Sequence, residues 1–553
     1  MKKFFLFFFM PLLICFAQVG YVPIDHKIYN YFCRMETLGL IENYNSFETP
    51  KSRIEVSKYL QEINQNRNQL NYYDNKILDD LIYEFDFELN FKMDNYSSVI
   101  TKNTQNYFEK EKYLYSYADS SKASFFVNLI GESFFLIDKK DSDNNSRNAL
   151  IYLFGGVFRG TIANHYGFSI KATNGSYKGN KELALSQKGL RYNYKANINP
   201  NYAGSNSYFD ETEGYIAAEF TDAKIKIGRD RLLLGYGIDK CILSDNPPPL
   251  DYFMFNLKYS IFSFSYIHAK LLSYPTSIGD SISGQINHLN EKFMVYHRFE
   301  LDLSKHAKIG FGEIIIYGNR GFDFSYLNPF NFFKSIEHVN QDRDNSMMFF
   351  DFSNNSIKGI KPYFTLMIDD IDFGKIGTLW YGNQVLFDAG VSFVPFYKEI
   401  SSMVTVQYTR IEPYFYTHRI PYNDFTSLGY GLSSFTQPNS ENYTIKIDYF
   451  PHNRTSVSFR YTYGKHGENE YDNEGNLTKN YGGNIKYGHR INDAEKIKFL
   501  DGVLEKRQLF SASANYEFIR NYYIDFSFNY IKLNVNDHKT SELFSIFSLK
   551  LKI

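Results

Sequence analysis

The chain has 553 residues and a formal net charge of −1, and it combines a mean hydropathy of −0.39 with 18% aromatic residues, 48 Tyr and 53 Phe among them. It has no basic excess to attract nucleic acid, and charges interrupt every apolar run before about 18 residues, which excludes a helical membrane protein. Transmembrane β-barrels show this pairing of many aromatics with near-neutral hydropathy, although an AT-rich genome favours the same residues, so composition alone leaves the choice open.

The chain opens on Lys2 and Lys3, followed by an apolar run from Phe4 to Phe16 that is too short to span a bilayer. Ala17, two beyond Cys15, predicts cleavage before Gln18, so residues 1–17 read as a secretory signal peptide. Leu13 and Ile14 disfavour lipidation of Cys15, which ordinarily follows a small residue. Removal of the two lysines takes the net charge to −3. The two cysteines that remain, Cys33 and Cys241, are too few for a disulfide framework or a zinc cluster, and nothing in their local patterns supports a bridge.

From Asp25 to about Phe85 the period is helical. Ile28, Tyr31, Phe32, Met35 and Leu38 share one face, and Gly39 stops that helix. Ser52 with Glu55 has the form of a capping box opening a second helix through Val56, Tyr59 and Leu60. Ile77, Leu78, Leu81, Ile82 and Phe85 mark a third. Residues 18–90 are expected to form a small periplasmic α-helical domain packed under a barrel that occupies 91–553.

From about Ser121 onward the period is two. Tyr443, Ile445, Ile447 and Tyr449 alternate with polar neighbours, as do Val457, Phe459, Tyr461 and Tyr463, and Tyr522, Ile524, Phe526, Phe528 and Tyr530. The last strand, Phe547, Leu549, Leu551 and Ile553, runs to the terminus, with Ile553 where barrels usually end on an aromatic. Some ~430 residues at roughly 22 to 25 per strand with its loop predict a mainly β fold, a large antiparallel transmembrane barrel of about 16–20 strands with 18 as the central expectation.

The most distinctive stretch is GRDRLLLGYGIDKCILSDNPPPLD (Gly228–Asp251), followed by FSFSYIHAKL (Phe262–Leu271), HRFE (His297–Glu300), GEIIIYGNRGFDFSYLNPF (Gly312–Phe330), the pairs Glu337-His338 and Asp344-Asn345, and LMIDD ending at Asp370. In order and spacing these motifs resemble the capsule assembly Wzi family. The resemblance implies an outer-membrane barrel with a periplasmic helical domain, a lumen obstructed by loops, and a lectin-like role in holding exported capsular or other surface polysaccharide at the cell surface. The partners it implies are that polysaccharide and outer-membrane lipid with lipopolysaccharide; nucleic acid is not among them, and a monomer is expected.

Read from the residues, HRFELDL places Arg298, Glu300 and Asp302 on the lumen side and Phe299, Leu301 and Leu303 outside, so that Arg298 and Glu300 can pair. Lys224 and Lys226 alternate with Ile225 and Ile227 in the same way. No face is assigned to Arg229, Asp230 or Arg231. Pro247, Pro248 and Pro249 lack backbone donors and put Ser244 to Asp251 in an ordered loop. Folded into the lumen, that loop would let Asp245 and Asn246 bond to Arg229 or Arg320. Tyr326 and Asn328 offer an aromatic platform beside a bidentate amide, a mixture suited to sugars. Together with Glu313 these residues are candidates for polysaccharide binding or for bracing the lumen.

An enzyme is not expected. Asp369 and Asp370 are strand neighbours that face opposite ways, and nucleophile-elbow, zinc-protease and phosphate-loop motifs are missing. No cofactor is expected and no metal site, His297, His338, Glu313 and Glu337 reading as ordinary polar barrel residues. The rival function is a porin or specific channel, which differs in whether the lumen is open.

Overall fold

The computed structural model describes residues 19–102, 104–119, 123–141, 146–197, 208–280, 284–434 and 437–553; the leader lies outside them. Eighteen antiparallel strands close into a barrel. The first nine are β1 (Ala123–Lys140), β2 (Arg147–Ile162), β3 (Tyr166–Gly179), β4 (Tyr208–Glu219), β5 (Ala223–Asp230), β6 (Leu250–Tyr259), β7 (Phe262–Asp280), β8 (Gly284–Ser304) and β9 (Ala307–Gly318). The others are β10 (Asn345–Asn354), β11 (Ile360–Asp370), β12 (Gln384–Phe393), β13 (Ser402–Ile411), β14 (Ser440–His452), β15 (Thr455–Glu468), β16 (Val503–Ile519), β17 (Tyr522–Val535) and β18 (His538–Lys552). β18 closes on β1, with Glu542 opposite Lys140 and Lys552 opposite Ile130. The terminal Ile553 takes part in that seam, its N–H donating to the Leu129 carbonyl at 2.8 Å.

Alternation sets the outer face as the sequence predicts. Tyr443, Ile445, Ile447, Tyr449, Phe459, Phe526, Phe547 and Leu549 are all exposed on the outside, where apolar side chains cost nothing against lipid. No described helix is long and apolar enough to cross a membrane. Strand connections are short at one end, as at 260–261, 305–306, 453–454 and 520–521, and long at the other, as at 180–207, 231–249, 319–344, 412–439 and 469–502.

The N-terminal helices sit against the short-turn end. Helix α1 (Ile28–Thr37) buries Ile28, Tyr31, Phe32 and Met35, and Gly39 beyond it takes φ +70°, a conformation open to glycine at no steric cost. Helix α2 (Arg53–Gln65) opens on the Ser52–Glu55 capping box. Helix α3 (Tyr72–Glu84) is capped by the Asn71 side chain, and a short α4 (Asp86–Asn90) follows. Residues 91–119 do not enter the ring as an ordinary strand. They form a parallel pair, Tyr96–Ser98 with Glu111–Tyr113, and a strand, Tyr115–Asp119, that pairs only with the first residues of β1.

Arg34 latches this layer to the barrel. Fully buried, it binds Asp74 at 2.7 Å and donates to the backbone carbonyls of Ser402 and, at 3.2 Å, Ile400 in the β12–β13 turn. Ser401 donates to the same Asp74 carboxylate. Removing one partner of such a pair strands a buried charge, at about 3–5 kcal/mol. Asp74→Ala is therefore expected to release the helical layer to limited proteolysis between residues 19 and 119, while far-ultraviolet circular dichroism of the barrel stays unchanged.

Candidate functional site

The lumen is filled from both ends. From the long-loop end, 231–249 turns inward and buries Leu232, Leu234, Tyr236, Ile242 and Leu243 against Tyr252, Ile267, Met294, Tyr296, Ile314, Phe349 and Met367 of the wall. Phe415, Tyr416 and Phe425 from the 412–439 connection join this core. From the short-turn end, Phe47 enters the same cluster, and Glu48–Thr49 pairs as a strand with Leu233–Leu234. The Arg298 guanidinium lies 4.0 Å from the Phe47 ring centre and bonds Asp351 at 2.8 Å and Glu300 at 2.6 Å. Lys308 extends the chain to Glu300 and Asp302. Arg298 and Glu300 thus face the lumen and pair, bracing the wall where the two inserts meet.

Glycine and a wall amide fix the path of the inserted loop. Gly237 has φ +72°, and a Cβ there would stand 2.6 Å from the Tyr363 hydroxyl and 2.7 Å from Gln407 Oε1. Gln407 Oε1 accepts from the Ile238 and Asp239 amides at 2.7 and 3.1 Å, and its Nε2 donates to the Asp239 carbonyl and to Asp388. Asp239 in turn pairs with Arg460 across the lumen at 2.7 Å.

At the mouth, the Ser244–Pro249 stretch meets the short helical turns of the 180–197 segment. Arg231 donates to the carbonyls of Asp245 (3.3 Å) and Pro247 (3.2 Å) and lies 3.7 and 3.5 Å from Glu211 and Glu213. Lys188 pairs with Asp245. Arg191 donates to the carbonyl and side chain of Asn246 at 2.5 and 2.9 Å, and the Tyr192 hydroxyl donates to the same carbonyl. The Asn246 amide donates to the Gly431 carbonyl at 2.9 Å. Tyr192 and Tyr430 meet edge to face at 5.0 Å, with Arg191 4.7 Å from each ring centre. Burial raises the Tyr192 phenol above its ordinary value, so it stays a neutral donor. The result is a half-exposed shelf of two phenol rings ringed by cations and carboxylates, groups that can hydrogen-bond vicinal hydroxyls while a ring covers the apolar face of a sugar; Asn246, buried beneath it, spends its side chain on Arg191 and Gly431.

Several candidates fall elsewhere. Arg229 faces outward and pairs with Asp251 at 3.0 Å, whereas Asp230 faces inward and accepts from Tyr252. Arg320 lies outside the barrel, bound to Asp344 and Asp323. Neither Arg229 nor Arg320 therefore reaches Asp245 or Asn246; Lys188, Arg191 and Tyr192 do, three residues that sequence reasoning missed although QKGLRYNYK (Gln187–Lys195) is a basic, aromatic run inside a long gap between strands.

The expected platform of Tyr326 and Asn328 is also displaced. The 319–344 connection folds down the outer wall, burying Tyr326 and Phe333 against Phe264, Tyr266, Val295, Ile315 and Tyr317. The Tyr326 ring is 0% exposed and its hydroxyl donates to Asp344 at 2.6 Å, so it offers no open face. Asn328 is exposed but holds Asn331 and the Phe330 amide. Glu313 and His297 likewise face outward, 2.9 Å apart. Glu313 accepts the Phe333 and Lys334 amides at 2.8 and 3.0 Å, satisfying the N-terminus of the helix Phe333–Val339. Glu337 and His338 sit on that helix, off the barrel wall. Cys33 and Cys241 are both free thiols.

A closed ring of eighteen strands, apolar outside and with part of its lumen filled by its own loops and N-terminal segment, is a transmembrane-type β-barrel. The chain belongs to the capsule assembly protein Wzi family, whose model matches residues 153–502. Among solved structures it is similar to Escherichia coli Wzi, described as an outer-membrane protein involved in group 1 capsule assembly and a carbohydrate-binding β-barrel, at 13% identity and TM-score 0.55, covering 96% of this chain and 99% of that one. Pseudomonas aeruginosa OccK8 (OprE) matches at 10% identity and TM-score 0.44 over 78% of this chain and 98% of its own. Acinetobacter baumannii OccAB4 does so at 8% and 0.43, again over 78% and 98%. No curated protein sequence matches.

Arg231→Ala removes the donor to two part-buried carbonyls of the inserted loop, a cost of about 1 kcal/mol or somewhat more. The expected result is faster proteolytic cleavage within 231–249 in detergent, with the barrel's heat-modifiable gel mobility retained.

Proposed function

We propose that this protein is a non-enzymatic outer-membrane barrel that holds exported capsular or other surface polysaccharide at the cell surface, gripping it on the Tyr192–Tyr430 shelf. The shelf is the observation that carries the reading: aromatic faces, Arg231, Lys188 and Asp245 stand together at the long-loop mouth. Family membership and the carbohydrate binding described for E. coli Wzi support the same substrate class. In this reading the leader 1–17 is cleaved, the helical layer at the short-turn end is periplasmic, the long loops are extracellular, and the protein works as a monomer in outer-membrane lipid and lipopolysaccharide. Asp369 is buried and Asp370 exposed on the opposite face, an arrangement that gives adjacent carboxylates no shared substrate.

A channel is the second reading, and a specific feature favours it. The inward-facing Arg460, Ser511, Asp525, Lys550, Glu132, Lys171 and Glu213 keep partial exposure, so a wet space runs beside the packed core. Two measurements separate the readings. Deleting the gene is expected to move polysaccharide from cells to medium, with wild type restoring retention and the Tyr192→Ala/Tyr430→Ala double variant restoring less than about a third. Unchanged retention together with ohmic steps in planar bilayers would establish the channel instead.

A further inference from the structure

The helix Phe333–Val339 ends in a turn where Glu337, His338 and Asp342 bring one ligand atom each within 4.8 Å of one another. Glu337 is 0% exposed, and neither of its carboxylate oxygens accepts a hydrogen bond. Its nearest cationic atoms are Lys334 Nζ at 3.6 Å and His338 Nε2 at 3.9 Å, both beyond bonding distance. A buried carboxylate left this way is costly.

The nearby cations are already engaged. Lys334 lies 3.8 Å from Asp370, Arg419 holds Asp342 at 3.2 Å, and Arg320 holds Asp344 at 2.7 Å.

We propose that Glu337, His338 and Asp342 form a site for one divalent cation of the zinc type. An imidazole beside two carboxylates is a mixed nitrogen and oxygen set that suits zinc better than calcium, which takes six to eight oxygens. Zinc bonds of ~2.0–2.2 Å require ligand atoms to close to roughly 3.3 Å, and the exposed His338 and Asp342 side chains can rotate inward to do so. Glu337 is the fixed member, held by the helix. Bound metal would tie the end of that helix to the following turn and so stiffen the 319–344 segment where it leads into β10.

The test uses the full-length barrel in detergent, stripped with chelator and titrated with zinc alone. Calorimetry is expected to show one saturable site in the micromolar range or tighter, weakened at least about tenfold by Glu337→Gln and by His338→Ala, with zinc protecting the Lys334–Arg343 stretch from trypsin in the wild type only. His338 is exposed, so its variant keeps the test valid even where Glu337→Gln fails to fold. Absence of saturable zinc binding, binding that His338→Ala leaves unchanged, or a preference for calcium over zinc would overturn the proposal.

Discussion

A ring of eighteen strands encloses more space than its own inward side chains fill, and the structure depends on how that space is occupied. The decisive contact is the short sheet between Glu48–Thr49 and Leu233–Leu234. It joins an insert from the short-turn end to an insert from the long-loop end, deep inside the wall. The Gly235 amide donates to the Phe47 carbonyl at 2.9 Å, so neither insert leaves its backbone unpaired at the junction. The ion cluster of Arg298, Asp351, Glu300, Lys308 and Asp302 lies beside it. Buried charges of this kind hold together because each has partners on neighbouring strands, and loss of one would cost more than the cluster gains.

How much of this was legible follows from which signals are local. Strand alternation depends only on neighbours two apart, so the lipid-facing rows at Tyr443–Tyr449 and Phe547–Ile553 could be read directly, as could the lumen orientation of Arg298 and Glu300 and the capping box at Ser52. The mouth was not legible in the same way. Lys188, Arg191 and Tyr192 reach Asp245 and Asn246 across more than fifty residues of sequence, and no spacing rule links two irregular loops. Arg229 misled for a related reason: next to Gly228, it pairs across β5 and β6 with Asp251 on the outside, while its neighbour Asp230 points in.

The outer-wall segment shows what a violated pattern means. Glu313 shares its face with Phe311, Ile315 and Tyr317, and His297 shares its own with Val295 and Phe299. Polar groups facing lipid are expensive, and non-helical backbone at that depth is tolerated only when protein surrounds it. Both conditions are met by one device. The 319–344 segment covers the His297–Glu313 pair, and the pair in turn satisfies Pro329, Phe333 and Lys334 of the segment's backbone. Phe322, Phe324, Phe330 and Phe332 then present the exposed apolar surface that the wall would otherwise have shown.

The lumen is accordingly divided by chemistry. Around the ion cluster on β8 to β10, strands β6 to β13 turn apolar residues inward against the inserts, which is why stretches such as Ile314–Tyr317 read as continuous apolar runs: both faces are covered. Strands β14 to β17 keep polar residues inward, and the Asp239–Arg460 pair ties the insert to that wet side, whereas β1 to β4 turn Leu136, Ile151, Tyr177 and Phe209 inward against Leu183 and Leu190 of the mouth segment. The Tyr192–Tyr430 shelf stands at the mouth beside this boundary. A chain of sugars seated there would have a rigid floor, because the Asn246 and Asp245 groups beneath it are already fixed by Arg191, Tyr192 and Arg231. Less ordering entropy is then lost on binding, and the packed half of the barrel acts on function by holding its mouth still.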